Sequence, residues 1–163
     1  MIIGIVCVDR NFGIGKNNDL LFHLKKDMQF FRQQTADSIV VCGYNTLLSF
    51  PGSKPLKGRS TICLCPEDVE RDDCFCIHDF EEMVKLVKEI SKTTNVYVIG
   101  GAMLYRSMLP YYDKVLVNKV DADGKAEVFF PNLDEYEGLS LFKRLPKVED
   151  EGYQTQLCIY MRN

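Results

Sequence analysis

Short apolar segments recur through the chain and are separated by stretches with helical spacing. Residues 2–8 form a nearly continuous apolar run, and residues 38–43, 60–65 and 95–99 are similar. Such runs predict strands that are covered on both faces, as in the centre of a parallel sheet. Two further runs near the C-terminus, residues 114–120 and 156–160, have no helical stretch between them and predict a closing antiparallel pair.

The stretches between these strands predict helices. Apolar residues recur every three or four positions in residues 25–35, 44–48, 79–91 and 102–108, and Asp79 can cap the third of these helices. The alternation predicts an α/β fold with a mixed, mostly parallel sheet and helices on both faces. Residues 9–24 lack any sustained period and predict a long connection, of a kind that is usually functional or disordered. Its apolar residues Leu20, Leu21 and Phe22 argue against disorder.

Composition narrows the possible partners. A chain of 163 residues with 46% hydrophobic residues predicts one compact domain, residues 1–163. A net charge of -3 with scattered lysines argues against nucleic acid and anionic membranes, so a small-molecule partner fits better. No apolar run approaches the ~20 residues of a membrane helix, and the N-terminus lacks a basic segment and a cleavage site. We therefore expect a cytoplasmic protein.

The cysteines predict reduced thiols. Their number is odd and most lie in β-type runs: Cys7, Cys42, Cys63, Cys65, Cys74, Cys76 and Cys158. Cys63-Leu64-Cys65 and Cys74-Phe75-Cys76 could in principle offer four thiolates to zinc from two strands. The usual zinc spacing has two turn residues between the cysteines, so we expect no metal.

One acidic residue stands out in the first predicted helix. Asp27 lies at the edge of the apolar stripe of Leu24, Met28 and Phe31, beside Phe30. If this stripe faces the interior, the carboxylate is held against aromatic rings and is a candidate for a functional site. The alternative is structural, because acids in the first helical turn are stabilised by about 0.3–1 kcal/mol through the helix dipole.

Two glycine turns and one arginine suggest an anionic ligand. Gly43-Tyr44-Asn45-Thr46 and Gly100-Gly101-Ala102 each follow a predicted strand and open a helix, where a backbone can approach a phosphate closely. Neither matches a known phosphate fingerprint, and each could be only a tight turn, but two such turns suggest two phosphates. Arg59 could bind a carboxylate or be solvated surface. His23 and His78 lack catalytic partners.

These residues together resemble one enzyme family over nearly the whole chain. The motifs are residues 5–9, Gly13-Ile14-Gly15, Asn18, Leu20-Leu21-Phe22, Asp27 with Phe30-Phe31, Gly43 with Thr46, Leu56-Lys57-Gly58-Arg59, Val98-Ile99-Gly100-Gly101 with Tyr105, and Phe130-Pro131. Their order and spacing resemble dihydrofolate reductase. The resemblance implies an eight-stranded, mixed, mostly parallel sheet with about four helices. It also implies that the protein is a monomer and acts in one-carbon metabolism.

The implied reaction is hydride transfer from NADPH to C6 of dihydrofolate, with a proton delivered to N5 to give tetrahydrofolate. By resemblance Asp27 anchors the pterin, the loop with Leu20 and Phe22 is a lid that excludes water, and Tyr105 completes the catalytic group. The other substrate-binding residues that the resemblance implies are Ile5, Met28, Phe31, Phe50, Leu56, Arg59, Ile99 and Asn118. Arg59 would hold the glutamate carboxylate.

On the cofactor side, the resemblance places the pyrophosphate at Thr46 and the Gly100-Gly101 turn, where the family commonly has a cis peptide bond. It places Cys7, Ile14, Ile99 and Tyr105 beside the nicotinamide. The remaining cofactor-binding residues that it implies are Gly15, Gly43, Tyr44, Leu64, Cys65, Ala102, Met103 and Leu104.

The chain departs from the family at four points. Leu21-Phe22 replaces the usual Pro-Trp of the lid, and Asn118 replaces a threonine that bonds the catalytic acid. Tyr44 replaces a basic residue that binds the 2′-phosphate of NADPH, and Cys65-Pro66 replaces a serine-type contact, so a weaker preference for NADPH over NADH is expected.

Two other functions compete with this interpretation. The related reductase of riboflavin synthesis shares the Gly-Gly turn and the use of NADPH, but its substrate gives Asp27 and Arg59 nothing to bind. A nucleotide-binding sensor without catalysis would not need the pterin residues. Both therefore rank below dihydrofolate reductase.

Overall fold

The chain folds into alternating strands and helices, as the sequence predicts. The computed structural model describes all of residues 1–163. The helices are α1 (Lys25–Thr35), α2 (Tyr44–Ser49), α3 (Phe80–Ile90) and α4 (Ala102–Ser107). The strands are β1 (Ile2–Val8), β2 (Gly13–Lys16), β3 (Asp19–Leu20), β4 (Ile39–Gly43), β5 (Ser60–Leu64), β6 (Phe75–Ile77), β7 (Val96–Val98), β8 (Lys114–Val120), β9 (Val128–Phe129), β10 (Leu139–Arg144), β11 (Val148–Asp150) and β12 (Tyr153–Arg162).

Eight strands form one path through the main sheet, in the order β10-β12-β8-β1-β7-β4-β5-β6, and β11 pairs only with β12. All pairs from β8 to β6 are parallel, while β12 is antiparallel to β8, β10 and β11. The predicted mixed, mostly parallel sheet with four flanking helices is confirmed. Its parallel part brings the carboxyl ends of β1, β4, β5 and β7 to one edge.

The two faces of the sheet carry different cores. Along β1, Ile2, Val6 and Val8 pack in a large core with residues of α3 and α4, while Ile3 and Ile5 pack on the opposite face beside Phe30 and Phe31 of α1. This is the alternation that a strand covered on both faces requires. It also places Cys7 on the α1 face, since Cys7 continues the series of Ile3 and Ile5.

The long connection of residues 9–24 differs from expectation because it contains a hairpin. Strands β2 and β3 pair with each other, and β9 joins them from a distant part of the chain. Asn17 and Asn18 turn the hairpin with φ of 53° and 58°, which Asn tolerates better than most residues. These strands, of two to four residues each, are too short to give a periodic signal.

The apolar stripe of α1 faces the interior only in part. Leu24 is buried, and Phe30 and Phe31 pack on the core, but Met28 is 37% exposed, so the apolar stripe does not face a closed interior along its length. Instead Met28 lines an open cleft of about 300 Å³, together with His23, Leu24, Lys25, Gln29 and Arg32. Met28, an apolar residue of this helix, therefore borders a space that is open to a ligand.

Candidate active site

Asp27 lies where α1 meets the carboxyl half of β1 and β8. Asn118 of β8 donates a hydrogen bond from Nδ2 to Asp27 Oδ1 at 2.9 Å, and the Cys7 thiol of β1 contacts the same carboxylate. Burial raises the pKa of Asp27, the bond from Asn118 lowers it, and the charge of Asp150 raises it further. The net shift is upward, which favours a carboxyl group that can hold a proton.

The backbone that carries Asp27 is held by a residue that the sequence analysis missed. Leu24, at the position before α1, offers no side-chain cap, so the first N–H groups of the helix need another acceptor. Asp150 of β11 supplies it: its Oδ1 accepts from Lys26 N at 3.2 Å and its Oδ2 from Asp27 N at 3.0 Å. The absence of a capping residue at Leu24 was the only signal in the sequence.

Apolar residues from several elements lie on the face of the sheet that α1 covers. Ile5 lies in the core on the α1 face, with Phe31 and Ile99 packed against it. Ile99 also packs against the cluster of Cys42, Leu47, Cys63 and Cys65, where Phe50 lies. Leu56 is half-buried in the turn before Arg59. The structure thus brings four of the predicted pterin and benzoyl neighbours to one side of the sheet: Ile5, Phe31, Phe50 and Ile99.

Arg59 is anchored to the end of α1. Its Nε donates to Thr35 Oγ1 at 3.1 Å, its Nη1 to Lys57 O at 2.6 Å and its Nη2 to Arg32 O at 2.8 Å. A guanidinium has five N–H donors, so each Nη atom keeps one N–H for another acceptor. Arg59 is therefore neither freely solvated nor saturated, and two donors remain for a carboxylate.

The two glycine turns face each other across the sheet edge. Gly43 N donates to Gly100 O at 2.9 Å, and a Cβ atom on Gly43 would lie 3.9 Å from Gly101 N. A Cβ atom on Gly101 would come within 3.2 Å of Thr46 Oγ1, so a side chain there would crowd the threonine. The Gly100–Gly101 peptide bond is cis, as the resemblance implied. Neither α2 nor α4 has a side-chain cap, and their first N–H groups are free for a ligand.

The other residues predicted to bind cofactor differ in what they can offer. Leu104 buries its side chain in the core and can contribute only backbone, whereas Met103 is 79% exposed. Tyr105 is fully engaged inside the fold, since its hydroxyl donates to Ile5 O at 2.8 Å. Cys7, Ile14, Gly15, Tyr44, Leu64 and Ala102 are half-buried, and Cys65 is buried.

The predicted lid is tied down at its base. Asp9 is 2% exposed, and its carboxylate accepts from Asn11 N at 2.8 Å, Gly13 N at 2.7 Å and Gly124 N at 3.0 Å. Glu127 holds the hairpin turn as well, because its Oε1 accepts from Asn17 N at 2.8 Å. No role was predicted for either acid, because nothing in a single sequence links segments as distant as residues 9–17 and 124–127.

The outer part of the lid is more open. Leu20 is 55% exposed, and Phe22 packs edge-to-face on Tyr153 with 5.1 Å between ring centroids. Neither side chain is held against Asp27, so their predicted catalytic roles are not visible as contacts in this arrangement.

A cation lies beside Tyr44 despite the missing basic residue. Arg71 comes within hydrogen-bonding reach of the Tyr44 phenol, and it donates from Nη2 to Ser53 O at 2.7 Å. Asp73 binds it through two bonds of 2.8 and 2.7 Å. His78, in contrast, is occupied by Pro66 O and Glu70 Oε1.

The cysteines are all free thiols in the structure. Cys65 Sγ and Cys76 Sγ are 3.4 Å apart, and burial is the main factor that raises the pKa of Cys65. No group of three or more His, Cys, Asp or Glu side chains is arranged to hold a metal ion. In addition, no helix has the length and apolar character needed to cross a bilayer.

Comparison with known proteins gives the family. A family model described as dihydrofolate reductase matches residues 1–162. The dihydrofolate reductase of Bacillus subtilis is 31% identical over 136 residues, which cover 83% of this chain and 78% of that protein. That of Haemophilus influenzae is 29% identical over 159 residues, covering 97% and 96%.

Comparison with a solved structure gives the same family. Dihydrofolate reductase from Enterococcus faecalis, solved in complex with NADP(H) and RAB-propyl, superposes with a TM-score of 0.85 at 28% identity and covers 100% of this chain and 96% of its own. Of the three functions weighed from the sequence, the first is confirmed. The chain belongs to the dihydrofolate reductase family and is an NADPH-dependent oxidoreductase that reduces dihydrofolate.

Proposed function

We propose that Asp27 anchors the pterin ring of dihydrofolate and promotes protonation at N5. One observation carries this assignment: Asp27 places its carboxylate in a partly apolar site, where Asn118 orients it and burial raises its pKa. A carboxylate in this position can pair with the 2-amino group and N3 of a pterin, both of which present hydrogens. The raised pKa keeps a proton available closer to neutral pH than for an ordinary aspartate.

The glycine turns suit the pyrophosphate of NADPH. Without side chains at Gly43, Gly100 and Gly101, the backbone leaves room between the two turns, and Thr46 Oγ1 adds a polar atom beside them. The first N–H groups of α2 and α4 are available to an anion, so Ala102, Met103 and Leu104 would act through their backbone. NADPH, when bound, supplies the hydride that is transferred to C6.

Arg59 is assigned to the glutamate carboxylate. Its side chain is already oriented by Thr35, Lys57 and Arg32, so little conformational entropy is lost when the two remaining N–H groups bind a carboxylate. Ile5, Phe31, Phe50, Leu56 and Ile99 would then surround the rings between Arg59 and Asp27, with Met28 bordering the open side.

The lid is assigned to residues 9–24. Asp9 holds the start of this segment and Glu127 holds the hairpin turn at Asn17, while the side chain of Leu20 is exposed and lies outside the core. Closure of this segment would exclude water from the transferred hydride and bring Leu20 toward the ligands.

We further propose that residues 1–163 act as a single domain, as a monomer and in the cytoplasm. The family match over residues 1–162 supports one functional unit. Seven free cysteines are consistent with a reducing compartment.

The test is Asp27→Asn, assayed by NADPH consumption across pH, with Asp37→Asn as the matched control because Asp37 is exposed just beyond α1. Turnover of Asp27→Asn should fall sharply at neutral pH, and the loss should shrink in acid, where dihydrofolate becomes protonated in solution. Wild-type turnover at pH 7 in Asp27→Asn would contradict the assignment.

The stability of Asp27→Asn should not fall at neutral pH, in contrast to its turnover. Because the pKa of Asp27 is raised in the folded state, the favourable contribution of its protonated form is present in acid and is lost as pH rises through the folded pKa. Asn carries no charge at any pH. Asp27→Asn should therefore unfold in urea at the same concentration as the wild type or higher at neutral pH, and this advantage should vanish in acid.

A further inference from the structure

The terminal hairpin contains a second buried carboxylate that contacts the helix of the active site. Asp150 is the last residue of β11, it is 2% exposed, and it lies 123 residues from Asp27 in the chain. A carboxylate is buried only where hydrogen bonds compensate for its lost hydration. Here the compensation comes from the backbone N–H groups of Lys26 and Asp27, at 3.2 and 3.0 Å.

Several contacts fix the hairpin that presents Asp150. Its two-residue turn has positive φ at Glu151 (52°) and Gly152 (87°), which is the turn that matches the twist of paired strands. Lys26 Nζ donates to Glu149 O at 2.6 Å, which is a third hydrogen bond between α1 and β11. The β11–β12 hairpin therefore fixes the position of Asp150, and hydrogen bonds attach the start of α1 to this hairpin.

We propose that Asp150 is a positioning residue for Asp27: it fixes the backbone of Asp27 and holds a second acidic side chain at the start of the same helix. The inference rests on the proposed role of Asp27 in the reduction of dihydrofolate. Asp150 itself touches no reacting atom; it acts through the N–H of Asp27 and through space.

The surroundings of Asp27 support a specific role for this charge. Asp27 faces Cys7 from β1, Asn118 from β8, the Tyr105 phenol from α4 and Asp150 from β11. The pKa values of Cys7 and Tyr105 are raised, so both are neutral, and Asn118 cannot ionise. Asp150 is therefore the charged partner, and a like charge makes Asp27 harder to ionise. Lys26, the adjacent cation, directs its ammonium group to Glu149 O.

The experiment compares Asp150→Asn and Asp150→Ala with Glu149→Gln. Asn keeps one acceptor oxygen for the helix while removing the charge, and Ala removes both. Glu149→Gln removes a neighbouring charge from the same strand, but its side chain is exposed and makes no hydrogen bond to α1. Thermal unfolding checks that each variant is folded. If Asp150→Asn does not fold, Asp150→Ser, which keeps a hydroxyl acceptor, replaces it.

The first readout needs no catalysis. Proteins labelled with ¹³C at aspartate carboxyl groups are titrated by NMR without ligands, and the Asp27 signal is assigned by its loss in Asp27→Asn. Asp27 should titrate at lower pH in Asp150→Asn and Asp150→Ala than in the wild type and Glu149→Gln. An unchanged Asp27 titration in folded Asp150→Asn would overturn the proposal.

The second readout is the pH profile of kcat/KM for dihydrofolate. Its midpoint should move to lower pH by the same amount as the Asp27 titration. At pH values above both midpoints, activity should therefore fall about tenfold for each pH unit that separates the variant's midpoint from that of the wild type. In an Asp27→Asn background, Asp150→Asn should leave the profile unchanged. A purely structural cap would lower the unfolding temperature and leave both midpoints in place. Failure of the role of Asp27 would show separately, as full activity in Asp27→Asn alone.

Discussion

Removing one oxygen atom from Tyr105 tests whether this buried phenol serves catalysis or only the fold. Tyr105→Phe deletes the donor that binds Ile5 O at 2.8 Å and leaves the ring in place against Phe130. A buried carbonyl that loses its partner costs about 1–3 kcal/mol. For a chain of this size, each kcal/mol lowers the unfolding temperature by about 2–4 °C, so we expect a decrease of about 2–12 °C.

Tyr112→Phe is the matched control. The Tyr112 hydroxyl is also buried and donates to a backbone carbonyl, that of Tyr105, at 2.9 Å. The two substitutions remove the same group from similar surroundings and should cost similar stability. Ile5, however, lies on the strand beside Asp27, whereas the carbonyl of Tyr105 lies in α4. Only Tyr105→Phe should therefore disturb the proposed pterin site.

The assays are calorimetric unfolding and kcat/KM for dihydrofolate at saturating NADPH. If about 1.4 kcal/mol of the lost bond is felt in the transition state, kcat/KM falls about tenfold in Tyr105→Phe. Tyr112→Phe should keep wild-type kcat/KM once it is assayed well below its unfolding temperature. Equal kcat/KM in the two variants would refute a catalytic role for Tyr105 and leave it a structural residue.

Three further predictions concern the lid, the glutamate and the cofactor. Asp9→Asn turns an amide toward Gly124 N–H, so the free energy of unfolding should fall by about 1.5–3 kcal/mol and hydrogen exchange in residues 9–24 should become faster. The control Asp123→Asn, at an exposed position, should change neither quantity. Arg59→Ala should raise KM for dihydrofolate about 10–150-fold through the loss of about 1.5–3 kcal/mol, and much less for a pterin without glutamate; equal effects would remove Arg59 from the site. If Arg71 binds the 2′-phosphate of NADPH, Arg71→Gln should raise KM for NADPH more than KM for NADH. Equal use of NADPH and NADH by the wild type would argue against this contact.

Much of the fold could be predicted because its strands and helices each carry a local signal. Apolar runs predicted β1, β4, β5, β7 and β8, and helical spacing predicted all four helices within one or two residues. The missed strands lack such a signal. Strands β3 and β9 have two residues each, and β10 is an edge strand with a bulge between Leu141 and Lys143 that interrupts its alternation. Their pairing depends on distant partners that a local pattern does not contain.

The site was less predictable than the fold because its geometry depends on contacts between distant segments. The link from Asn118 to Asp27 could be proposed only from family resemblance, and the structure shows it as a bond of 2.9 Å. Arg59 was expected either to bind a carboxylate or to be solvated surface, but its hydrogen bonds to Thr35 and Arg32 follow from no spacing rule. Arg71 beside Tyr44 was not expected at all.

The position of Asp27 in the first turn of α1 can now be separated from a helix-dipole effect. An acid at the third helical position commonly folds back to bind the free N–H groups at the helix start. In this chain Asp150 occupies the N–H groups of Lys26 and Asp27, so the structural need is met by a residue from another strand. The carboxylate of Asp27 is thereby released to turn toward Asn118 and Cys7, where the helix N–H groups do not neutralise it. Two acids at one helix start thus divide two tasks: one stabilises the helix, and the other, kept near the charge of the first, is held ready to bind a proton.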